Sequence, residues 1–522
     1  MNGEIQSSVL PEMAKPTRRN RKSRPHEATN KSQRGIAVSQ INLRRGFVPL
    51  LVLLVVGLSL LYWSRPAELS QEQTLLALTI IGLGCIPSLI YLLEVRRPPL
   101  PFLPLVGLYY TFSFGLPLFT GHLQEQQLNM SYRVEEASIT SLWLTVGGMV
   151  SMFSLYLAGE RIVWRGTRHV QIPWDGGSFK LRCFLWGCLV LHWSFNVLPV
   201  LNSIPSLGQF AGPVGFLGWG LILVLWLAKR LSMIEKYLLV PAGLVFELLF
   251  LTTTGLLSST IVFGLFLALV AFRYRPRLAV ILAVLSLGFL IVLSPVKLEF
   301  RQLTWLGGDQ SSPSTVERAR LLAQLAENYY FPAQYGSPSE DHINMFGGLA
   351  NRLSMINFLS RVVSMTPSSI PYWGGYTYRS LFTKFIPRFL WPDKPEELTG
   401  NQFGQRYGFL DPGDNTTSLN LPWIVELYAN FGTWGILLGM GMFGLLLAFL
   451  NQLFNRPQMN PVEFVYGTSL VFVLFFQESS FALMIGSVFL LSIALYVLLK
   501  LAYGGVVSPS KRTRRKPSAH KG

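Results

Sequence analysis

Twelve apolar runs, each close to the ~20 residues needed to cross the hydrocarbon core of a bilayer, recur along this chain and decide what it can fold into. They fall near 47–63, 73–93, 100–119, 137–158, 181–200, 210–228, 237–254, 256–272, 278–295, 427–450, 462–477 and 481–501. In lipid, a run of that length satisfies its own backbone N–H and C=O groups only as a helix. Of 522 residues, 50% are hydrophobic and only 14% are charged, with a mean hydropathy of +0.38. That is too little charge to cover a soluble surface. The expected fold is an all-α polytopic integral membrane protein with about 12 transmembrane helices. A long, partly helical extracytoplasmic loop separates the ninth from the tenth.

The formal charge of +17 looks at first like a nucleic-acid signal. Its position argues otherwise. Much of it lies in two tails, Arg18 to Arg24 and Lys511 to Lys516, which flank apolar spans and suit contact with anionic membrane lipid. No nucleic-acid partner is expected. With both ends placed in the cytoplasm, the inner loops hold the cation clusters: Arg96 and Arg97; Arg161, Arg165, Arg168, Lys180 and Arg182; Lys229, Arg230 and Lys236; Arg273, Arg275 and Arg277; and Arg456. This is the pattern of the positive-inside rule. A single re-entrant element across Thr252 to Thr260 would put Arg273, Arg275 and Arg277 outside, and is rejected on that ground. The resulting organisation is a disordered basic tail at 1–46, a bundle at 47–295, an outer loop at 296–426, a second bundle at 427–501 and a basic tail at 502–522.

Cys85, Cys183 and Cys188 all fall inside spans, so no disulfide framework is implied, and no His/Cys cluster argues for a metal. The first apolar run follows a tail too long for a signal n-region and should remain as an anchor. There is neither a D-x-D nor a Gly-rich phosphate loop. His192 and Glu247 lie within spans, where they are expensive unless paired. They can hydrogen-bond across helices or line a lipid-carrier groove.

The outer loop holds the chemistry. From His342 to Pro392 it carries Arg352, Arg361, Arg379, Lys384 and Arg388 without one Asp or Glu. A basic, aromatic-rich surface at the mouth of a bundle suits an anionic, lipid-borne ligand. Two amphipathic helices are expected, Ser314 to Tyr330 and Gly348 to Met365. Gly374-Gly375 permits a tight turn, and Pro387, Pro392 and Pro395 bar a long helix past Ile386. Arg388 is the first choice for a pyrophosphate contact, since a guanidinium binds phosphate oxygens bidentately. Pairing with Asp393 is the structural alternative. Tyr376 and Trp391 can stack on sugar rings or belong to an interfacial aromatic belt.

Several stretches carry a family resemblance. Ile386 to Pro395 (IPRFLWPDKP), Gly375-Tyr376-Thr377-Tyr378, then Gly400, Phe403 and Tyr407, and finally Glu426 to Gly435 (ELYANFGTWG) together resemble the O-antigen and exopolysaccharide repeat-unit polymerases of the Wzy type. The likeness covers roughly 345–440; the long basic N-terminal tail departs from it. It implies a GT-C-like membrane glycosyltransferase of the bacterial inner membrane that needs neither metal nor cofactor. Such an enzyme moves a growing glycan from polyprenyl pyrophosphate onto an incoming lipid-linked repeat unit in building the cell envelope. A chain-length-determining copolymerase is a possible partner. Arg388, Arg352 and Arg379 are the expected stabilisers of the departing pyrophosphate, and Glu426 the expected base. Asp393 and Asp411 are weaker bases, and Glu426 also reads as a helix cap. Lys384, Arg361, Tyr376, Tyr378, Trp391, Lys394, Tyr428 and Asn430 are the expected substrate contacts. An O-antigen ligase, which would favour His342, and a non-enzymatic carrier or flippase, which would place its essential charges inside the spans, are the competing expectations.

Overall fold

The computed structural model describes residues 43–94, 97–120, 138–172, 178–198, 211–253, 257–293, 295–306, 315–331, 354–384, 386, 391, 393, 398–415, 417–457 and 459–503. All belong to one compact unit, Val38–Gly522. Both basic tails, apart from 43–46 and 502–503, lie outside the described residues.

Among the described residues there are helices and no strand. Nine helices precede the long loop: α1 (Phe47–Trp63), α2 (Gln71–Leu93), α3 (Phe102–Thr120), α4 (Ile139–Val163), α5 (Phe179–Val197), α6 (Ala211–Leu227), α7 (Glu235–Thr253), α8 (Leu257–Tyr274) and α9 (Pro276–Leu293). The loop contributes α10 (Thr315–Tyr330), α11 (Ile356–Met365), α12 (Arg379–Lys384) and α13 (Thr399–Arg406). The chain continues through α14 (Trp423–Phe454), α15 (Pro461–Val471) and α16 (Phe481–Tyr503). Seven of these are long and apolar enough to cross a membrane: α2, α3, α4, α7, α9, α14 and α16. The apolar helices of α1, α6, α8 and α15 are shorter.

Local sequence explains where the helices start. Ser70 and Gln73 form a reciprocal capping box before α2, and Asn460 with Glu463 does the same before α15, where Pro461 opens the helix. Ser138 and Ser178 cap α4 and α5. No residue of α1 is fully buried; one face, including Leu50, Leu54 and Leu61, is half-buried, and the rest of its apolar surface is exposed.

The bundle has two distinct ends. At one, the Asn455 side chain bonds Leu100 N and O, Val170 N donates to Leu453 O, Arg456 reaches Thr167 O, and Arg273 Nη2 donates to Met459 O at 2.6 Å. Arg182 pairs with Glu235 there, at 2.7 Å. At the other end, Met355 N donates to Ser113 O, Ser141 Oγ meets Ser360 Oγ at 2.8 Å, and Tyr330 Oη donates to Val292 O. Helix α10 seals this end against α9 through Leu293, Val296, Phe300, Leu322 and Leu325. The cation-rich turns thus gather at one end and the described parts of the long loop at the other.

The largest departure from expectation lies in α14. The hydropathy pattern predicts one straight span over 427–450, but the chain reverses at Gly432, whose φ of 65° and ψ of −150° are not helical. The rings of Trp423 and Phe443 lie 4.8 Å apart. In a straight helix twenty residues cover about 30 Å. Residues 423–431 therefore fold back as a short limb along the longer limb 433–454, which at ~1.5 Å per residue is about 33 Å long. Glycine makes this approach possible. A Cβ on Gly435 would sit 2.6 Å from Leu427 O, and one on Gly432 would sit 2.7 Å from Tyr372 Oη. The second outer-loop helix is also shorter than expected. It runs from Ile356 to Met365, and 348–353 lie outside the described residues.

Replacing Gly432 with Ala should therefore lower stability by about 1–3 kcal/mol, through left-handed strain plus the collision with Tyr372. Thermal unfolding of the detergent-solubilised protein measures this. A melting point equal to that of the parent would contradict the reversal.

Candidate functional site

The short limb ends at Gly432, which strands its last carbonyls without helical partners. A strap over 371–378 supplies them. Trp373 N donates to Ala429 O at 2.9 Å and Gly374 N to Asn430 O at 3.2 Å. Gly375 N donates to Asn430 Oδ1 at 2.9 Å, while Asn430 Nδ2 donates to Thr377 Oγ1 at 2.9 Å and to Glu426 O at 2.8 Å. The strap turns through left-handed Gly374 and Gly375, with φ of 58° and 89°, as the Gly-Gly pair predicts. Asn430 is 1% exposed and pins limb to strap.

Beneath the strap lies a sealed polar layer. Glu426 is 0% exposed. Its Oε2 accepts from Phe481 N at 2.8 Å, so the carboxylate sits at the positive N-terminus of α16. The Thr377 hydroxyl of the strap, which accepts from Asn430 Nδ2, also hydrogen-bonds the carboxylate. Trp423 N donates to Gln477 O, and the buried Gln477 accepts from Tyr110 Oη at 2.7 Å through Oε1. Tyr378 stacks on Phe431 and meets Phe481 edge-on, with its hydroxyl unpaired. Burial, reinforced by the nearby Glu426 carboxylate, pushes the Tyr378 phenol well above the ordinary tyrosine range.

Above the strap is an open cleft of about 610 Å³, lined by Tyr372, Trp373, Tyr376, Gln402, Gln405 and Arg406. The Arg406 guanidinium lies 5.3 Å from the Trp373 ring and donates to Pro371 O at 2.7 Å. The Arg379 guanidinium lies 5.4 Å from the Tyr376 ring. Helix α13 stands behind the cleft, rooted by Phe403 and Tyr407, both fully buried. Tyr407 Oη meets Thr366 Oγ1 at 3.0 Å, and burial raises its phenol. Flat aromatic faces with planar amide and guanidinium donors can grip the C–H face and the hydroxyls of a sugar ring together.

The expected residues divide three ways. Glu426, Tyr428, Asn430 and Tyr378 come together under the strap, where Tyr428 packs its ring against Tyr372. Tyr376 lines the cleft, and Arg379 packs beside the Tyr376 ring without lining it. Arg361 turns aside, its Nε donating to Tyr407 O at 3.2 Å. Trp391, Asp393 and Asp411 are exposed. Lys384 closes α12, and its side chain lies outside the described residues, as do Arg352, Arg388, Lys394 and His342. Sequence reasoning passed over Trp373, Gln402, Gln405, Arg406, Gln477 and Tyr110. Arg406 adjoins Tyr407 and Trp373 adjoins the Gly-Gly turn, so position beside an already notable residue was the available signal. Gln477 and Tyr110 offered none.

A family model described as Domain of unknown function (DUF8712) matches residues 178–505, a stretch that includes the strap, the cleft and Glu426. No curated protein matches the chain, and no solved structure does.

Replacing Asn430 with Ala removes three bonds at once and leaves Gly375 N without its acceptor. The expected cost is about 1–3 kcal/mol of local stability. Hydrogen exchange should accelerate roughly ten-fold or more at 373–378 while α4 stays protected. Unchanged exchange across the strap would show that Asn430 does not hold it.

Proposed function

The chain belongs to the DUF8712 family, and we propose that it is a membrane glycosyltransferase polymerising lipid-linked oligosaccharide repeat units. In this reading about twelve helices cross a bacterial inner membrane, both termini are cytoplasmic, and the strap and cleft face outward. The observation that carries it is the cleft. An aromatic, amide and guanidinium lining of about 610 Å³ suits a saccharide, and it rests directly on a limb bearing a buried carboxylate. The motif-level likeness to repeat-unit polymerases over 345–440 supports it as well.

The division of labour follows from residue chemistry. Tyr372, Trp373 and Tyr376 stack on the sugar rings, and Gln402 and Gln405 hydrogen-bond their hydroxyls. Departure of a polyprenyl pyrophosphate builds negative charge, which preorganised guanidiniums neutralise best. Arg379 and Arg406 serve here, together with Arg352 and Arg388. Lys384 and Lys394 add charge around them. Glu426, buried beneath the strap, takes the proton of the acceptor hydroxyl. In the closed arrangement the strap covers the carboxylate, and its Thr377 hydroxyl bonds it, so the reaction requires the strap to lift.

One observation favours the carrier reading. Besides Glu426, the bundle holds the His192–Glu247 pair, at 2.9 Å and almost wholly buried. Charges inside the helices are what a carrier for lipid-linked saccharides needs.

The two readings separate on a gel of surface glycan from the producing cells. Trp373→Ala should shorten the chains, and Glu426→Gln should abolish long chains while single repeats remain attached, with a drop of at least a hundred-fold in polymer. Absence of any glycan on the outer leaflet would mean transport instead. A parental length distribution in both variants would refute the cleft as the site.

A further inference from the structure

The opposite end of the bundle carries a second cleft, of about 600 Å³, which the glycan reading does not use. It is lined by Trp226, Leu227, Lys229, Leu231, Met233, Lys236, Arg275 and Leu278. The turn between α6 and α7 and the turn between α8 and α9 form it together. Three cations therefore share one concave surface with apolar walls, and no acidic side chain lines it. Lys229, Lys236 and Arg275 are all exposed, as are Trp226 and Met233.

The one carboxylate close in sequence is turned away. Glu235 is buried and bound by Arg182 at 2.7 Å, by Trp186 Nε1 at 3.0 Å and by Ser232 N and Oγ at 2.8 Å each. Its charge is consumed on the far side of the α7 terminus, leaving the cleft positive. The backbone also fixes Lys229. Arg230 N donates to Leu225 O and Lys229 N to Trp226 O, closing α6 with Lys229 at a left-handed φ of 55°. Glycine would occupy that position with less strain. The chain instead holds a lysine there, at the lip of the cleft.

We propose that this cleft binds a phosphate-bearing anion, the phosphodiester headgroup of an anionic membrane lipid. The cations would hold the phosphate oxygens, while Trp226, Leu231 and Met233 receive the first carbons of the acyl chains. Its position at helix ends, where cations and exposed apolar side chains meet, is the level at which a headgroup lies. The site is separate from the cleft over the strap and does not depend on what that cleft does.

The test uses the full-length protein in a neutral maltoside detergent, followed by native mass spectrometry. The probes are dioctanoyl phosphatidylglycerol, dioctanoyl phosphatidylcholine and inorganic phosphate. Phosphatidylglycerol should bind and phosphatidylcholine should bind at least ten-fold more weakly. Lys229→Gly should weaken phosphatidylglycerol roughly five-fold, the effect of one cation near a membrane surface, while the melting temperature stays level or rises. Combining it with Lys236→Ala and Arg275→Ala should remove binding. If the triple variant fails to fold, Lys229→Gly alone decides. Inorganic phosphate competing at equal concentration would keep the phosphate site and assign it to a free anion. Unaltered phosphatidylglycerol binding in a folded variant, or equal binding of phosphatidylcholine, would overturn the proposal.

Discussion

A backbone that reverses inside a helix bundle strands carbonyls that lipid cannot satisfy. Much of the region around the first cleft answers that single constraint. The reversal at Gly432 frees the carbonyls of Ala429 and Asn430, and the strap closes over them with the amides of Trp373 and Gly374. With the strap laid along the limb, Tyr372, Trp373 and Tyr376 line the cleft while Tyr378 turns inward onto Phe431 and Phe481. Helix α13 then has a surface to pack against, and the cleft forms between the two. The shape of the cleft is thus a by-product of how a broken helix keeps its hydrogen bonds.

Carboxylates are the second organising element. Glu160 accepts from Asn451 and Tyr156, Glu463 from the backbone of Ile172 and Asn460, Glu235 from Arg182, and Glu247 from His192, Trp193 and Trp219. In each case an acid expensive to bury is used to join elements remote in sequence, and its partners compensate the desolvation. Glu426 follows the same pattern. Wholly buried, its carboxylate is met by the N-terminus of α16 and by the Thr377 hydroxyl, so it ties that helix to the strap that covers it.

Much of the fold could be read directly from the chain. Apolar runs separated by cation-rich and cation-poor turns located helices, seven of them long and apolar enough to cross a membrane, because burial in lipid makes hydropathy decisive. The Gly374-Gly375 turn and the α10 helix were legible for local reasons: glycine chemistry and a helical apolar stripe. The hairpin in α14 was not. Trp423 to Phe431 is as apolar as the limb it folds against, so periodicity cannot distinguish a reversal from a continuous span. Gly432, Gly435 and Gly439 were the only trace. The site was legible in part. Glu426, Tyr428 and Asn430 stood out as polar residues at the edge of an apolar run, whereas Gln477 and Tyr110 lie in different helices and meet only through tertiary packing.

The short limb has a consequence for how the molecule is made. Nine residues, at ~1.5 Å each, reach less than half-way through a bilayer, so the segment cannot be threaded across as an independent unit. Its polar side chains bond α16, the strap and Thr366 O, and of these α16 is synthesised later. The burial of Glu426 is therefore complete only when the C-terminal helix is in place. A chain ending before Phe481 would keep its cation-rich turns but lack the amide that holds that carboxylate.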